Sequence, residues 1–168
     1  ISLAASGRGC RAVVLSHMHG ISRLHAAMLG DALVERHLAV EDEGTYRCAH
    51  PIIADVVRTR LTTSRRREVH RALALVLETL LPTEPQGGGE MGEIASHAEQ
   101  GGDRQMAYRY ALLAADAASA RCAYDEGLSW LDVAAGSAAA PEASEQVDRV
   151  TAQVLERAGW REAPRVRA

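Results

Sequence analysis

The stretch from Thr45 to Leu77, TYRCAHPIIADVVRTRLTTSRRREVHRALALVL, leaves few choices of fold. It reads as strand, helix, tight turn, helix. Tyr46 and Cys48 alternate with polar Thr45 and Arg47 as a short strand requires, and Pro51 brings a fixed φ and no N–H to what reads as a first helical position. His50 is thereby placed at a strand-to-helix corner. Ile52, Ile53, Val56, Val57 and Leu61 recur at helical spacing. Thr63 or Ser64, with Arg66 to Arg71, opens a second helix whose apolar face is Val69, Ala72, Leu73, Val76 and Leu77. Taken alone, the segment is a helix pair with a solvated basic face.

Upstream, residues 11 to 18 and 21 to 36 read as two helices separated by His19-Gly20, with Leu24, Met28, Ala32 and Leu33 or Val34 toward a core. After His37, apolar Leu38 and Val40, the acidic turn Glu41-Asp42-Glu43-Gly44, and then Tyr46 and Cys48 predict a β-hairpin, with Gly44 where a positive φ is needed. Helix, helix, hairpin, helix is the order of elements in a winged helix, which predicts such a domain over residues 1–81. PTEPQGGGE, residues 82–90, has the composition of a flexible connector. Beyond it, helices are predicted over 91–100, 103–119 and 121–136, with Gly102 and Asp103 as caps. Small Ala107, Ala111, Ala114, Ala115 and Ala118 let these helices approach closely, so antiparallel α-hairpins result. Pro141 restarts a last helix to about residue 158, with Val147, Val150, Val154 and Leu155 on one side, and residues 159–168 read as a flexible tail.

Composition narrows the chemistry. There is no Phe, and Ala, Leu and Val carry an apolar fraction of 47%, which favours helix packed on helix. All 19 basic residues are arginine. Without lysine this stretch holds no Walker-type phosphate lysine, no Schiff-base lysine and no Ser–Lys dyad. Cys10, Cys48 and Cys122 are odd in number and far apart, which supports neither a disulfide framework nor a zinc knuckle and fits a reducing cytoplasm. His17, His19 and His25 have no carboxylate at ligand spacing, so no metal site is expected; no Ser, His and Asp set is singled out, so no enzyme is expected. The opening ISLAASGRG, which starts on Ile, reads as a cut inside a longer chain. The net charge of −3 hides an uneven distribution: Arg58, Arg60, Arg65, Arg66, Arg67 and Arg71 stand within fourteen residues against the single acidic Glu68.

The run from TYRCAHP through RRREVHRALALVLE, followed by IASHAEQGGDRQMAYRYALLAADAASARCAYDEGLSWLDVA, resembles the region behind the nucleotide-binding module of STAND-type signal-transduction ATPases, such as the large LuxR-type transcriptional regulators. In that family a winged helix ends in an aromatic-x-x-x-His pattern, here Tyr46 and His50. It continues through an Arg-Arg-x-x-x-His helix, here the helix of Arg66, Arg67 and His70, and leads into tetratricopeptide-like repeats. The similarity covers about residues 10 to 136. It implies that His50 takes the place of the sensor histidine of a Met-His-Asp motif, which touches the phosphates of bound ADP, although Ala49 and Pro51 flank it here. A neutral or protonated imidazole at a helix N-terminus can donate to a phosphate oxygen. ATP or ADP is then a ligand of the parent protein, and no cofactor is expected in this part alone.

The expected function is a non-catalytic regulatory and scaffold segment of such a parent, mediating interdomain and protein–protein contacts. Its partners would be an ATPase domain of the parent chain and a protein or ligand on the helical repeats, with a homodimer as a further outcome and no membrane. The contact residues would be Arg58, Arg65, Arg66, Arg67, His70 and Arg71. The alternative is a DNA-binding winged helix. Against it, Asp31 and Glu35 sit beside Arg23 and Arg36 on the would-be recognition helix, and Glu41, Asp42 and Glu43 form the wing tip, where a duplex reader needs cations.

Overall fold

A computed structural model describes residues 1–81 and 88–159. Its elements run α1 (Ser2–Ser6), β1 (Cys10–Arg11), α2 (Ala12–His19), α3 (Arg23–Glu35), β2 (Ala39–Asp42), β3 (Thr45–Cys48), α4 (Pro51–Thr59), α5 (Thr63–Thr79), α6 (Gly88–Gly101), α7 (Arg104–Ala120), α8 (Tyr124–Ser137) and α9 (Pro141–Arg157). The protein is mostly α, with one small antiparallel sheet of order β1-β3-β2. It divides into two compact units, Ile1–Leu81 with Gln100–Gly102, and the rest. Among the described residues no helix is long and apolar enough to cross a membrane.

In the first unit the hairpin pairs Ala39 with Cys48 and Asp42 with Thr45, leaving Glu43 and Gly44 as a two-residue turn at φ 48° and 78°. Positive φ at both centres matches the twist of the flanking strands, and Gly44 meets that demand without strain. The sheet has a third strand beyond the predicted hairpin. Cys10 pairs with Tyr46 and Arg11 with Thr45, so the helix expected from residue 11 begins one residue later. Gly9 makes this approach possible: at φ 104°, a Cβ there would lie 2.8 Å from the Tyr46 carbonyl oxygen. Helix α2 ends at Gly20 in the left-handed region, and the Ser22 hydroxyl caps α3 by accepting from the His25 N–H at 3.1 Å. The core of the unit is Cys10, Val14 and Leu73, with Leu3, Val69, Val76 and Leu77 against them.

Helix α3 is rotated relative to its predicted face. Leu24 and Met28 are 73% and 61% exposed, while Ala26 and Gly30 are buried. The cause is Tyr46, whose ring lies on the helix backbone at Gly30 and whose hydroxyl donates to Asp31 Oδ1 at 2.8 Å and to the Ala27 carbonyl at 3.3 Å. An aromatic ring seated on the helix leaves room only for small residues on that side.

In the second unit, α7 and α8 are joined by the three residues 121–123 and so run antiparallel, with Cys122 at φ 59°. Ala107, Ala111, Ala114, Ala115 and Ala118 are wholly buried along α7, and Leu131 and Ala134 answer them from α8. The Asp103 carboxylate caps α7 by accepting from the Met106 N–H at 3.0 Å. Helix α9 buries Val147, Thr151 and Val154, and the Tyr108 hydroxyl donates to Gln146 Oε1 at 2.9 Å. The Trp130 ring sits against Gly92 of α6. Residues 88–90, expected in the connector, form the first turn of α6; residues 82–87 and 160–168 of the expected connector and tail lie outside the described residues.

Candidate functional site

The candidate residues lie along the chain from the end of β3 through α4 into α5: His50 stands at the start of α4, Arg58 in its last turn, and Arg65, Arg66, Arg67, His70 and Arg71 belong to α5. Pro51 at the first helical position fixes the start of α4, and His50 caps it: its Nδ1 accepts the Ile52 N–H at 3.2 Å. That bond occupies the Nδ1 lone pair, so in the neutral ring the proton sits on Nε2. The imidazole is exposed and turns a donor outward. The Nε2–H of the neutral ring can donate one hydrogen bond to an acceptor oxygen.

The arginines are not equivalent. Arg58 is half-buried; it pairs with Asp55 at 3.1 Å and donates from Nε to the Ala54 carbonyl at 3.2 Å. Arg71 pairs with Glu68 at 3.5 Å on the surface. Arg65, Arg66 and Arg67 are exposed at the third to fifth positions of α5, and among the described residues none has an ion-pair partner. Three cations there oppose the helix dipole, which favours anions at an N-terminus. The Thr62 hydroxyl accepts the Arg65 N–H at 3.3 Å and supplies the cap that no acidic residue supplies. A local arrangement that costs helix stability without an internal counter-charge marks a surface suited to an external anionic group.

His70 differs from its neighbours, being only 3% exposed. It belongs to the packed side of α5 rather than to the open basic face. Burial, and then the charges of Arg66 and Arg58, push its pKa below 6.5. The folded chain therefore favours the neutral ring. Above pH 6.5 both folded and unfolded forms are neutral and the stabilisation is fully present. As pH falls through 6.5 the unfolded chain takes up a proton that the folded chain resists, so stability drops, levelling off below the folded pKa. Urea melts at pH 7.5 and 5.5 are expected to show this loss, and His70→Gln is expected to flatten it. An unchanged acid slope in the variant would assign the loss to other groups.

Elsewhere in the unit, the Tyr46 hydroxyl titrates above the usual 10.0 because it donates to Asp31 and is buried beside the charges of Asp31 and Glu41. Burial also raises the Cys48 thiol, against the pull of the N-terminal amine and Arg58. His17 and His19 have separate local partners, the Val13 carbonyl at 2.8 Å and the Ser2 hydroxyl at 3.1 Å. The wing tip carries exposed Glu41, Asp42 and Glu43, with Arg47 paired to Asp42 at 3.5 Å across solvent, a pair that contributes little.

Sequence reasoning missed one surface. Leu24, Met28, Asp31 and Glu35, spaced four, three and four apart, form a single exposed stripe on α3. Ile52 and Val56 form a second exposed apolar pair on α4. The available signal was Ala26 and Gly30, one turn apart, which mark the side of α3 that something large must cover. Compared with known proteins, the chain matches no family model, no curated protein and no solved structure.

Proposed function

We propose that this chain is a non-catalytic regulatory and scaffold segment of a larger signal-transducing ATPase or transcriptional regulator, working through interdomain and protein–protein contacts. The observation that carries this reading is the α3 stripe. In a DNA-reading winged helix, α3 would present cations and hydrogen-bond donors to base edges and phosphates. Here its exposed residues are Leu24, Met28 and Leu29 with Asp31 and Glu35, beside Arg23 and His25, a mixed apolar and acidic face that suits a protein surface better than a duplex. The unpaired arginines of α5 then serve an acidic surface of another domain, and the outward Nε2 of His50 serves a nucleotide phosphate bound there. The α7–α8 hairpin, of the tetratricopeptide-like kind implied by the resemblance, serves as the scaffold.

Gel filtration with light scattering tests this on the whole chain, with a labelled DNA duplex and, separately, a glutamate-rich peptide, each at low and moderate salt. The peptide is expected to bind at low salt, and Arg65→Glu/Arg66→Glu/Arg67→Glu is expected to weaken it about tenfold or more, as loss of close charge pairing does. The triple variant should stay folded, since acidic residues at positions 65 and 66, in the first turn, favour the dipole by about 0.3–1 kcal/mol each and Arg67 is exposed. A duplex complex that survives moderate salt and prefers one sequence would overturn the reading in favour of a DNA-binding domain.

A further inference from the structure

The first unit contains a partly open apolar pocket of about 160 Å³ lined by α1, α2, α3, β3 and Ile21 between α2 and α3. Its walls are Leu3, Leu15, Ile21, Leu29 and Leu33, with the Tyr46 ring as floor. The space exists because of the rotation of α3. With Leu24 and Met28 turned to solvent, the inward positions are Ala26 and Gly30, and neither fills the volume between the helices. Unfilled apolar space forfeits dispersion contacts on every side, so a chain that keeps it forgoes stability that one larger side chain would supply. Two polar groups line it. The Tyr46 hydroxyl is committed to Asp31 and Ala27, whereas His19 stands at the exposed rim with its Nε2 3.1 Å from the Ser2 hydroxyl.

We propose that this pocket binds a small ring compound carrying one hydroxyl, of phenol size, with the ring among the leucines and the hydroxyl at the His19 imidazole on the rim. The volume is close to that of the ~150 Å³ apolar cavities that stay dry and admit benzene. Ligands with several polar groups are disfavoured, since apart from His19 and the committed Tyr46 hydroxyl the lining side chains are apolar. The site lies apart from the basic corner, and the inference stands whether or not the parent is a signal-transducing ATPase.

Titration of the isotope-labelled chain with phenol, toluene and glycerol, followed by amide shifts in NMR, tests it. Phenol and toluene are expected to give saturable shifts confined to α1, α2, α3 and β3, with phenol half-saturating on the order of a millimolar, as suits seven heavy atoms. Glycerol is expected to give none. Ala26→Leu, which fills the pocket, should weaken both rings about tenfold or more, the loss that excluding the ligand from its cavity implies. Leu29→Trp, which covers the mouth from a half-exposed position, should do the same and keeps the test valid if the first variant unfolds. His19→Ala should weaken phenol about threefold to tenfold, the worth of one net hydrogen bond, and leave toluene unchanged. Shifts that never saturate, that spread over α7 and α8, or that persist in both filling variants would overturn the assignment. Equal loss of both rings in His19→Ala would overturn the role given to His19.

Discussion

Gly30→Ala is expected to destabilise the first unit by about 1–3 kcal/mol, the usual cost of forcing extra atoms into a packed site. The sign is opposite to the ordinary rule, by which Gly to Ala within a helix gains about 1 kcal/mol. The geometry decides between them. A Cβ at Gly30 would lie 2.5 Å from two carbons of the Tyr46 ring and 2.8 Å from a third. The ring cannot swing aside freely, because its hydroxyl is held by Asp31 and Ala27 and its backbone is paired on both sides, to Cys10 and to Glu41. Either the ring gives up those hydrogen bonds or α3 lifts off the sheet. Hydrogen exchange resolved by peptide would register the loss in α3 and β3. The double variant Gly30→Ala/Tyr46→Leu should recover part of it, since the clash needs both groups. A neutral or stabilised Gly30→Ala chain would mean that the contact between ring and helix is slack.

Leu131→Ala is expected to cost about 2–5 kcal/mol, the range for deleting a fully buried leucine, against a typical total of about 5–15 kcal/mol for a domain. Leu131 is 1% exposed, and the α7 surface beside it is built from alanines that are wholly buried. Alanine has no rotamer with which to collapse into the space, so the cavity persists and the penalty should fall in the upper half of the range. Leu113→Ala is the internal control. It lies on the outer side of α7, 45% exposed, and should cost under about 1 kcal/mol. Urea unfolding followed by circular dichroism measures both. Equal effects at the two positions would show that the α7–α8 seam is not tightly packed.

The sequence carried the second unit further than the first. Ala107, Ala111, Ala114, Ala115 and Ala118 of α7 recur at helical spacing and face inward, because a helix with one small-residue stripe has one side that can pack closely. The hairpin was legible for a similar reason: alternation over 45–48 and a Gly at the turn admit one register, since a slip by one residue would expose Tyr46. On α3 the same method placed Leu24 and Met28 inward, and they are outward. Apolar residues occur nearly all round that helix, at 24, 26 to 29 and 32 to 34, so periodicity does not single out a face. Strand β1 was likewise invisible, as two residues carry no alternation, and only Gly9 hinted that a backbone passes nearby. At the candidate site, Pro51 and the arginine run placed the corner correctly, but spacing could not separate buried His70 from exposed Arg65, Arg66 and Arg67.

What the sequence by itself determined is the set of elements and their local ends: Ser22, His50, Thr62 and Asp103 each accept a backbone N–H at a helix start, and Gly20 and Gly44 take the positive φ that their turns require. Those are short-range matters, settled by bonds and sterics within a few residues. Only the tertiary structure decided which face of α3 is covered, where the pocket opens, and which cations of the basic run are left unpaired. Each of these depends on what a distant residue does with its volume or charge. Tyr46, fifteen residues from Asp31, sets the rotation of α3, and that rotation leaves Leu24 and Met28 facing outward.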